Sequence, residues 1–140
     1  MFLLDTNVIS ETRKVATGNA SVKAWVAAQT TGSMYLSSIT VLEIQRGIFK
    51  AGQQGDHAKA AIFERWLEDR VLPAFAGRIL AVDHSVARRA ARLPWPHPDD
   101  YRDSLIAATA LEHGATVVTR NVKDFEASGA KLFNPWDAAL

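Results

Sequence analysis

Short apolar segments recur along this chain, and each is separated from the next by a stretch with helical character. The apolar segments are FLL at 2–4, MYL at 34–36, RILAV at 78–82, TVVT at 116–119 and KLF at 131–133. Strands that alternate with helices in this way pair in parallel through crossover connections. We therefore expect an α/β fold, a three-layer α/β/α sandwich around a central, mostly parallel sheet.

Polar caps and glycine or proline stops delimit the predicted helices. Ser21 and Thr40 are predicted N-caps, and Pro73 and Gly114 are predicted stops. The segment LPWPHP at 93–98 is predicted to be a rigid loop, in which Trp95 is a candidate for partner contact. The helical patterns cover residues 8–13, 21–29, 41–51, 59–72, 83 or 85 to 92, and 99–113.

Length and composition indicate one domain with an ordinary surface. The 140 residues, of which 48% are hydrophobic, can bury one core, and no repeat or linker divides them, so we expect a single domain over 1–140. A net charge of +1 excludes an obligate polyanion binder of the histone type. The lack of cysteine excludes a disulfide framework and a thiolate zinc site. We expect a cytoplasmic protein without a signal peptide or membrane segment.

Acidic side chains from distant stretches are expected to meet at the carboxyl edge of the sheet. Asp5 follows the first strand, Glu43 lies just past the second, and Asp124 follows the last long apolar strand. Asp103 lies on the apolar face of the predicted helix 99–113. Ligands of open parallel sheets bind at the carboxyl ends of the strands. These acids are therefore candidates for a functional site.

Most of these acids also have a structural explanation when each is taken alone. Asp5 would cap the following helix, and Glu43 would form a capping box with Thr40. Asp124 would stabilise a turn. Asp103 has no such explanation, because other acids precede it at the helix start and a bare carboxylate is costly to bury beside an apolar stripe.

Taken together, the acids predict a metal site. Two carboxylates about 4 Å apart repel by about 4 kcal/mol at an effective dielectric constant of about 20, and no basic residue recurs beside all of them in the sequence. Mg²⁺ and Mn²⁺ prefer oxygen ligands, whereas the scattered histidines make zinc a poorer fit. A site of this kind suits hydrolysis of a phosphodiester by a metal-activated water.

Stretches in a fixed order span nearly the whole chain: LLDTNVIS, TVLEI, DSLIAATALEHGATVVTRNVKDF and FNPW. Together they resemble the PIN-domain ribonucleases, specifically the VapC/FitB-like toxins of type II toxin–antitoxin pairs. The resemblance implies a Mg²⁺- or Mn²⁺-dependent endoribonuclease that is active as a homodimer. It also implies a cognate antitoxin, which silences the toxin from a groove near the active site and contacts DNA itself within the larger complex.

The resemblance further implies which residues form the site. The first three acids of the family fall on Asp5, Glu43 and Asp103. Many relatives carry a fourth acid where this chain has Asn121, with another acid nearby, as Asp124 is here. Either residue is a candidate for the fourth position, and the number of bound metal ions stays open between one and two.

Hydroxyl and basic residues near the acids complete the predicted site. Thr6 and Thr119 match hydroxyls that support the acid cluster in the family. Arg13, Lys14 and Arg120 are the basic residues closest to the acids by sequence, and they are candidates to bind RNA phosphates. A solvated surface explains the same basic residues without any substrate.

The alternative function is a catalytically inactive PIN-like module that holds a partner protein. The acids would then be helix caps and turn residues only. Apolar side chains could line the groove for such a partner, although packing in the core explains them as well, and we expect the core. These residues are Ile39, Ile44, Ile48, Phe49 and Trp66.

Overall fold

A central parallel sheet organises the molecule. The computed structural model describes residues 1–94 and 100–137, so the predicted contact of Trp95 and the predicted helix start at Asp99 lie outside the described residues. The strands are β1 (Phe2–Leu4), β2 (Met34–Ser37), β3 (Ile79–Leu80), β4 (Thr116–Val118) and β5 (Lys131–Phe133). They pair in parallel in the order β3-β2-β1-β4-β5. The predicted parallel sheet is confirmed, although the third strand is shorter than RILAV.

Helices connect the strands and cover the sheet. They are α1 (Thr6–Arg13), α2 (Ala20–Ala28), α3 (Ser38–Gln53), α4 (His57–Trp66), α5 (Leu72–Ala74), α6 (His84–Ala90), α7 (Arg102–His113) and α8 (Val122–Phe125). A π-helical turn at Leu67–Val71 joins α4 to α5, so the helical path continues through Pro73 and ends just after it. Gly114 ends α7 in the left-handed conformation, with φ of 66°, as predicted.

Two hydrophobic cores lie on opposite faces of the sheet. Successive side chains of a strand point to opposite faces, so Leu4 packs into one core and Leu3 into the other. The first core contains Val8 of α1 and Ile48 of α3, and the second contains Ile106 of α7. This alternation confirms the three-layer α/β/α sandwich.

Two predicted helix caps are wrong. Asn19, not Ser21, caps α2, since its Oδ1 accepts a hydrogen bond from the Val22 amide at 3.1 Å. The Ser21 hydroxyl is buried and donates to the carbonyl of Pro135 at 2.8 Å. Thr40 lies inside α3, because that helix already begins at Ser38.

Serine at the end of β2 starts α3. The Oγ of Ser37 accepts a hydrogen bond from the Ile39 amide at 3.0 Å. Thr40 is consequently a fully buried helical residue, and it forms no capping box with Glu43. The early start of α3 places Glu43 in its second turn, facing the first helix.

No helix within the described ranges is both long enough and apolar enough to cross a membrane.

Candidate active site at the carboxyl edge of the sheet

Asp5 lies where β1 gives way to α1, at the carboxyl edge of the sheet. It is 5% exposed, and its Oδ1 caps α1 by accepting a hydrogen bond from the Thr6 amide at 2.8 Å. Its Oδ2 accepts from the hydroxyl of Thr119 at 2.7 Å and from the side-chain amide of Asn7 at 3.2 Å. Thr119 follows β4, the neighbour of β1 in the sheet, so strand pairing brings these two groups together. Asp5 is therefore both a cap and a rigidly oriented carboxylate.

Glu43 is held beside Asp5 by a hydroxyl from α1. Its Oε1 accepts a hydrogen bond from the Oγ1 of Thr6 at 2.8 Å, and Thr6 Oγ1 also lies 3.3 Å from the hydroxyl of the buried Thr40. Burial raises the pKa of Glu43, and the nearby charge of Asp5 adds to that rise. Thr6 thus links the start of α1 to α3 and orients Glu43.

Asp103 lies in the first turn of α7 and is half-buried. Its side chain makes no hydrogen bond or ion pair with another residue of the described ranges. Burial raises its pKa to about 7, and the charges of Asp5 and Glu43 are the next largest causes. Burial and the neighbouring acids therefore both disfavour the ionised form of this carboxyl group.

The acids surround an open cleft of about 350 Å³. Three of the predicted acids, Asp5, Glu43 and Asp103, line it. Asp124 does not line it, but its charge raises the pKa of both Asp5 and Asp103, so it lies near the cluster. The described residues that line it are Asp5, Thr6, Asn7, Ser10, Glu43, Asp100, Arg102, Asp103 and Asn121.

The donor set of the cleft fits a hard divalent cation. Its acidic side chains offer carboxylate oxygens, which such ions prefer as ligands, and a bound positive charge would offset the repulsion that contributes to the raised pKa of Asp103. Within residues 1–94 and 100–137, however, no three acidic or histidine side chains are arranged so as to hold an ion as they stand. An ion that binds in the cleft would therefore keep water molecules among its ligands or draw these side chains together.

None of the three predicted RNA-binding residues lines the cleft. The guanidinium of Arg13 lies 4.3 Å from the ring centre of Phe63, in an adjoining groove. Lys14 pairs with Glu11 at 3.2 Å on the surface. The amide of Arg120 donates to the side chain of Asn7 at 3.3 Å, which places this residue at the rim.

Sequence reasoning missed Asp100 and Arg102 as residues of the cleft. Asp100 Oδ1 accepts hydrogen bonds from the amide of Arg102 at 3.1 Å and from its Nε at 3.0 Å, and Oδ2 accepts from Nη2 at 2.8 Å. The Nη1 of Arg102 lies 3.9 Å from Oε2 of Glu43. The sequence signal for Arg102 was its position directly before Asp103, although no basic residue stands beside all of the acids in the sequence.

Comparison with known proteins decides the family. The family profile described as PIN domain matches residues 2–129. The chain belongs to the PIN-domain family. VapC ribonuclease Y4jK of Sinorhizobium fredii is 42% identical over 146 residues, covering 99% of this chain and all of the relative. Toxin FitB of Neisseria gonorrhoeae is 41% identical over 141 residues, covering 97% of this chain and 99% of the relative.

Two solved structures share the fold of this PIN domain over nearly its whole length. FitAcB from Neisseria gonorrhoeae superimposes with a TM-score of 0.85 at 38% identity, covering 99% of this chain and 100% of that one. FitAB bound to an IR36 DNA fragment gives a TM-score of 0.82 at 36% identity, covering 100% and 99%. The fold and the family therefore agree with the resemblance of the sequence motifs.

A second groove of about 440 Å³ adjoins the acidic cleft of this PIN domain. It shares Thr6, Ser10 and Glu43 with the cleft and continues between α1, α3 and α4. Of the predicted groove residues, Ile44, Ile48 and Trp66 line it, and Ile44 and Ile48 also pack in the first core. Ile39 instead packs in the second core, and Phe49 is exposed on the outer face of α3.

Proposed function

We propose that this PIN domain is a metal-dependent endoribonuclease and the toxin of a toxin–antitoxin pair. The observation that carries the proposal is Asp103, a half-buried carboxyl group among Asp5 and Glu43 with a pKa raised to about 7. The names of the full-length relatives, VapC ribonuclease and Toxin FitB, support the same activity. We further propose that the whole chain, 1–140, is one domain.

The carboxylates of the cleft are the proposed ligands of Mg²⁺ or Mn²⁺. Asp5, Glu43 and Asp103 would hold the ion, and either Asp124 or the carbonyl of Asn121 would contribute from the end of β4. When bound, such an ion supplies activation of a water for attack on phosphorus and stabilisation of the leaving oxygen.

The threonines of the site have an orienting role in this proposal. Thr119 holds Oδ2 of Asp5 and Thr6 holds Oε1 of Glu43, so neither carboxylate turns away from the cleft. Each carboxylate oxygen has two lone pairs, so these hydrogen bonds leave acceptor capacity for an ion. Asp103 has to release its proton before it binds a cation, because only the ionised carboxylate is an effective ligand.

The decisive experiment compares RNA cleavage by the wild type and by Asp103→Asn with Mg²⁺, with Mn²⁺ and with a chelator. We expect Asp103→Asn to lose at least about 100-fold in kcat/KM, because it removes a charged ligand, and chelation to abolish cleavage by the wild type. Asp69→Asn, which changes an exposed acid of the π-helical turn, should cleave as the wild type does. Circular dichroism checks that all three proteins are folded. Equal cleavage by wild type and Asp103→Asn, or cleavage that survives chelation, contradicts the assignment.

A cognate antitoxin is the proposed protein partner. The similarity to FitAcB and to FitAB on a DNA fragment supports a complex of this kind. We propose that the toxin forms a homodimer, that antitoxin joins it in a larger complex, and that DNA is contacted through the antitoxin only. The groove beside the cleft is close enough for a bound antitoxin to block substrate, since the two cavities share Thr6, Ser10 and Glu43. The proposed compartment is the cytoplasm.

A catalytically inactive binding module is the second candidate. One observation favours it: no three acids of the described ranges are arranged to hold an ion. This candidate predicts that the wild type and Asp103→Asn are equally silent on RNA at every metal concentration. The same assay therefore separates the two functions.

A further inference from the structure

Among the described residues that line the cleft, Arg102 is the only cation, and the others are acids and uncharged polar groups. The lining includes Asp5, Glu43, Asp100 and Asp103, so their formal charge with Arg102 is −4 + 1 = −3 when all are ionised. RNA carries a negative charge on every phosphate, and its approach to such a cleft is opposed by repulsion. The electrostatic interaction of a substrate phosphate with the cleft is therefore most favourable beside Arg102.

Asp100 binds one edge of the Arg102 guanidinium, whereas Nη1 is left without a hydrogen bond to the described residues. Asp100 accepts hydrogen bonds from Nε at 3.0 Å and from Nη2 at 2.8 Å, and it also accepts from the backbone amide of Arg102 at 3.1 Å. The nearest carboxylate to Nη1 is Glu43, whose Oε2 at 3.9 Å is beyond hydrogen-bonding distance. Among the described residues Nη1 makes no hydrogen bond, so its N–H groups are available to a ligand.

The side chain of Arg102 is also accessible, since it is 46% exposed. A guanidinium already fixed by Asp100 loses little conformational freedom when a phosphate binds it, and arginine matches phosphate with paired N–H groups. We propose that Arg102 binds a phosphate of the RNA next to the one that is cleaved, and that Asp100 positions the guanidinium for this contact. This inference rests on the proposed function and adds a substrate-binding residue to it.

The first test measures binding without catalysis. A short labelled single-stranded RNA of mixed sequence is titrated with protein in the presence of a chelator, and fluorescence anisotropy gives Kd between about 50 and 200 mM salt. We expect Arg102→Gln to weaken binding about tenfold and to reduce the slope of log K against log salt by about 0.7, the value for one lost contact to a single strand. Arg102→Lys should restore the slope and only part of the affinity, because lysine keeps the charge without the paired geometry.

Arg89 provides a matched control. Its side chain is 45% exposed and pairs with Glu112 at 2.6 Å, so Arg89→Gln removes the same charge from a similar ion pair. Glu112 lies ten residues along α7 from Arg102, which is about 15 Å of helix away from the cleft. We expect Arg89→Gln to bind RNA with the wild-type Kd and salt slope.

The second test separates substrate binding from chemistry. With metal present, Arg102→Gln should raise KM about tenfold and change kcat less than about twofold, because the contact is made equally in the ground state and the transition state. Asp100→Asn should raise KM by a smaller factor. The double variant should not exceed Arg102→Gln in KM, because Asp100 has no guanidinium left to position and its removal also takes away a negative charge that repels RNA.

The outcomes distinguish this inference from the proposed function. A wild type that neither binds nor cleaves RNA overturns both. A wild type that cleaves RNA, with Arg102→Gln showing the wild-type Kd, salt slope and KM, overturns only the role of Arg102. The role of Arg102 is also overturned if Arg89→Gln loses as much RNA affinity as Arg102→Gln does. An Arg102→Lys variant that binds RNA with the wild-type Kd overturns it as well.

Discussion

Asp5 illustrates how one side chain can satisfy a structural and a functional explanation together. Its Oδ1 caps α1 through the Thr6 amide, while its Oδ2 is oriented by Thr119 from the neighbouring strand. A carboxylate offers about four lone-pair positions, so the cap leaves room for a further ligand. The cap is therefore no argument against a role in the cleft.

Asp103 differs from Asp5 in that no local hydrogen bond offsets its burial. Burial is the largest cause of its raised pKa, followed by the charges of Asp5 and Glu43. The folded chain consequently binds a proton at Asp103 over a pH range in which the unfolded chain has released it. Ionisation of Asp103 therefore lowers the free energy of unfolding.

We expect the metal-free protein to lose stability as pH rises from about 4 to about 7. The folded pKa of Asp103, about 7, lies above its ordinary value of 3.8, so the folded state binds more protons in this window and rising pH favours unfolding. Asp103→Asn should therefore be more stable than the wild type at neutral pH, by about 1 to 2 kcal/mol after allowance for partial exposure to solvent. Urea unfolding in the presence of a chelator, at about pH 4 and at about pH 7, measures this difference. Parallel pH profiles for the two proteins would contradict it.

At the scale of elements, the start of α3 determines where Glu43 points. The helix begins at Ser38 with Ser37 as its cap, which turns Glu43 toward the hydroxyl of Thr6. A start at residue 41, as the sequence pattern predicted, would leave Thr40 outside the helix. The early start instead buries Thr40 next to Thr6.

Ser37→Ala tests this helix start. It removes the hydroxyl that accepts from the Ile39 amide, and we expect a loss of about 1 kcal/mol in the free energy of unfolding. Ser38→Ala is the matched control, since that neighbour lies in the helix without a capping bond, and it should change stability by less than about 0.5 kcal/mol. Urea denaturation of both variants decides the question. A larger loss in Ser38→Ala would show that the helix begins elsewhere.

At the scale of the whole molecule, the parallel sheet gathers the acids. The neighbouring strands β1 and β4 end at the same edge, where α3 packs on the first core and, through Ile39, on the second core that it shares with α7. The cleft therefore depends on the complete sandwich, because no single element carries more than one of Asp5, Glu43 and Asp103. Ligand binding at this edge should stabilise the fold as a unit.

Added Mn²⁺ should raise the Tm of the metal-stripped wild type by several degrees. An ion that binds only the folded state stabilises it by about 2.7 kcal/mol at 100 times its Kd. The shift should grow with ion concentration and should be largely lost in Asp103→Asn, which lacks one charged ligand. Differential scanning fluorimetry with Mn²⁺, and with Ca²⁺ or Na⁺ at matched ionic strength, measures it. Equal shifts in both proteins would place the ion outside the cleft.

The sequence alone determined the layers, the strands and their parallel pairing. Alternating apolar strands and helices have few ways to bury their apolar faces, so the pattern led to the parallel sandwich. It also identified Gly114 as the stop of α7, because that position requires the left-handed conformation that glycine adopts freely. The motifs of the first and third stretches indicated the family that the PIN domain match then established.

Only the tertiary structure determined which of several neighbouring polar residues caps a helix and which lies in the cleft. Serines and threonines are interchangeable as caps by sequence, and the choice of Ser37 over Thr40 follows from the packing of α3 on α1. The place of Arg102 in the acidic cleft likewise depends on how Asp100 turns its guanidinium. Side-chain charges interact through space rather than along the chain, so their balance is set only when separate elements meet at the edge of the sheet.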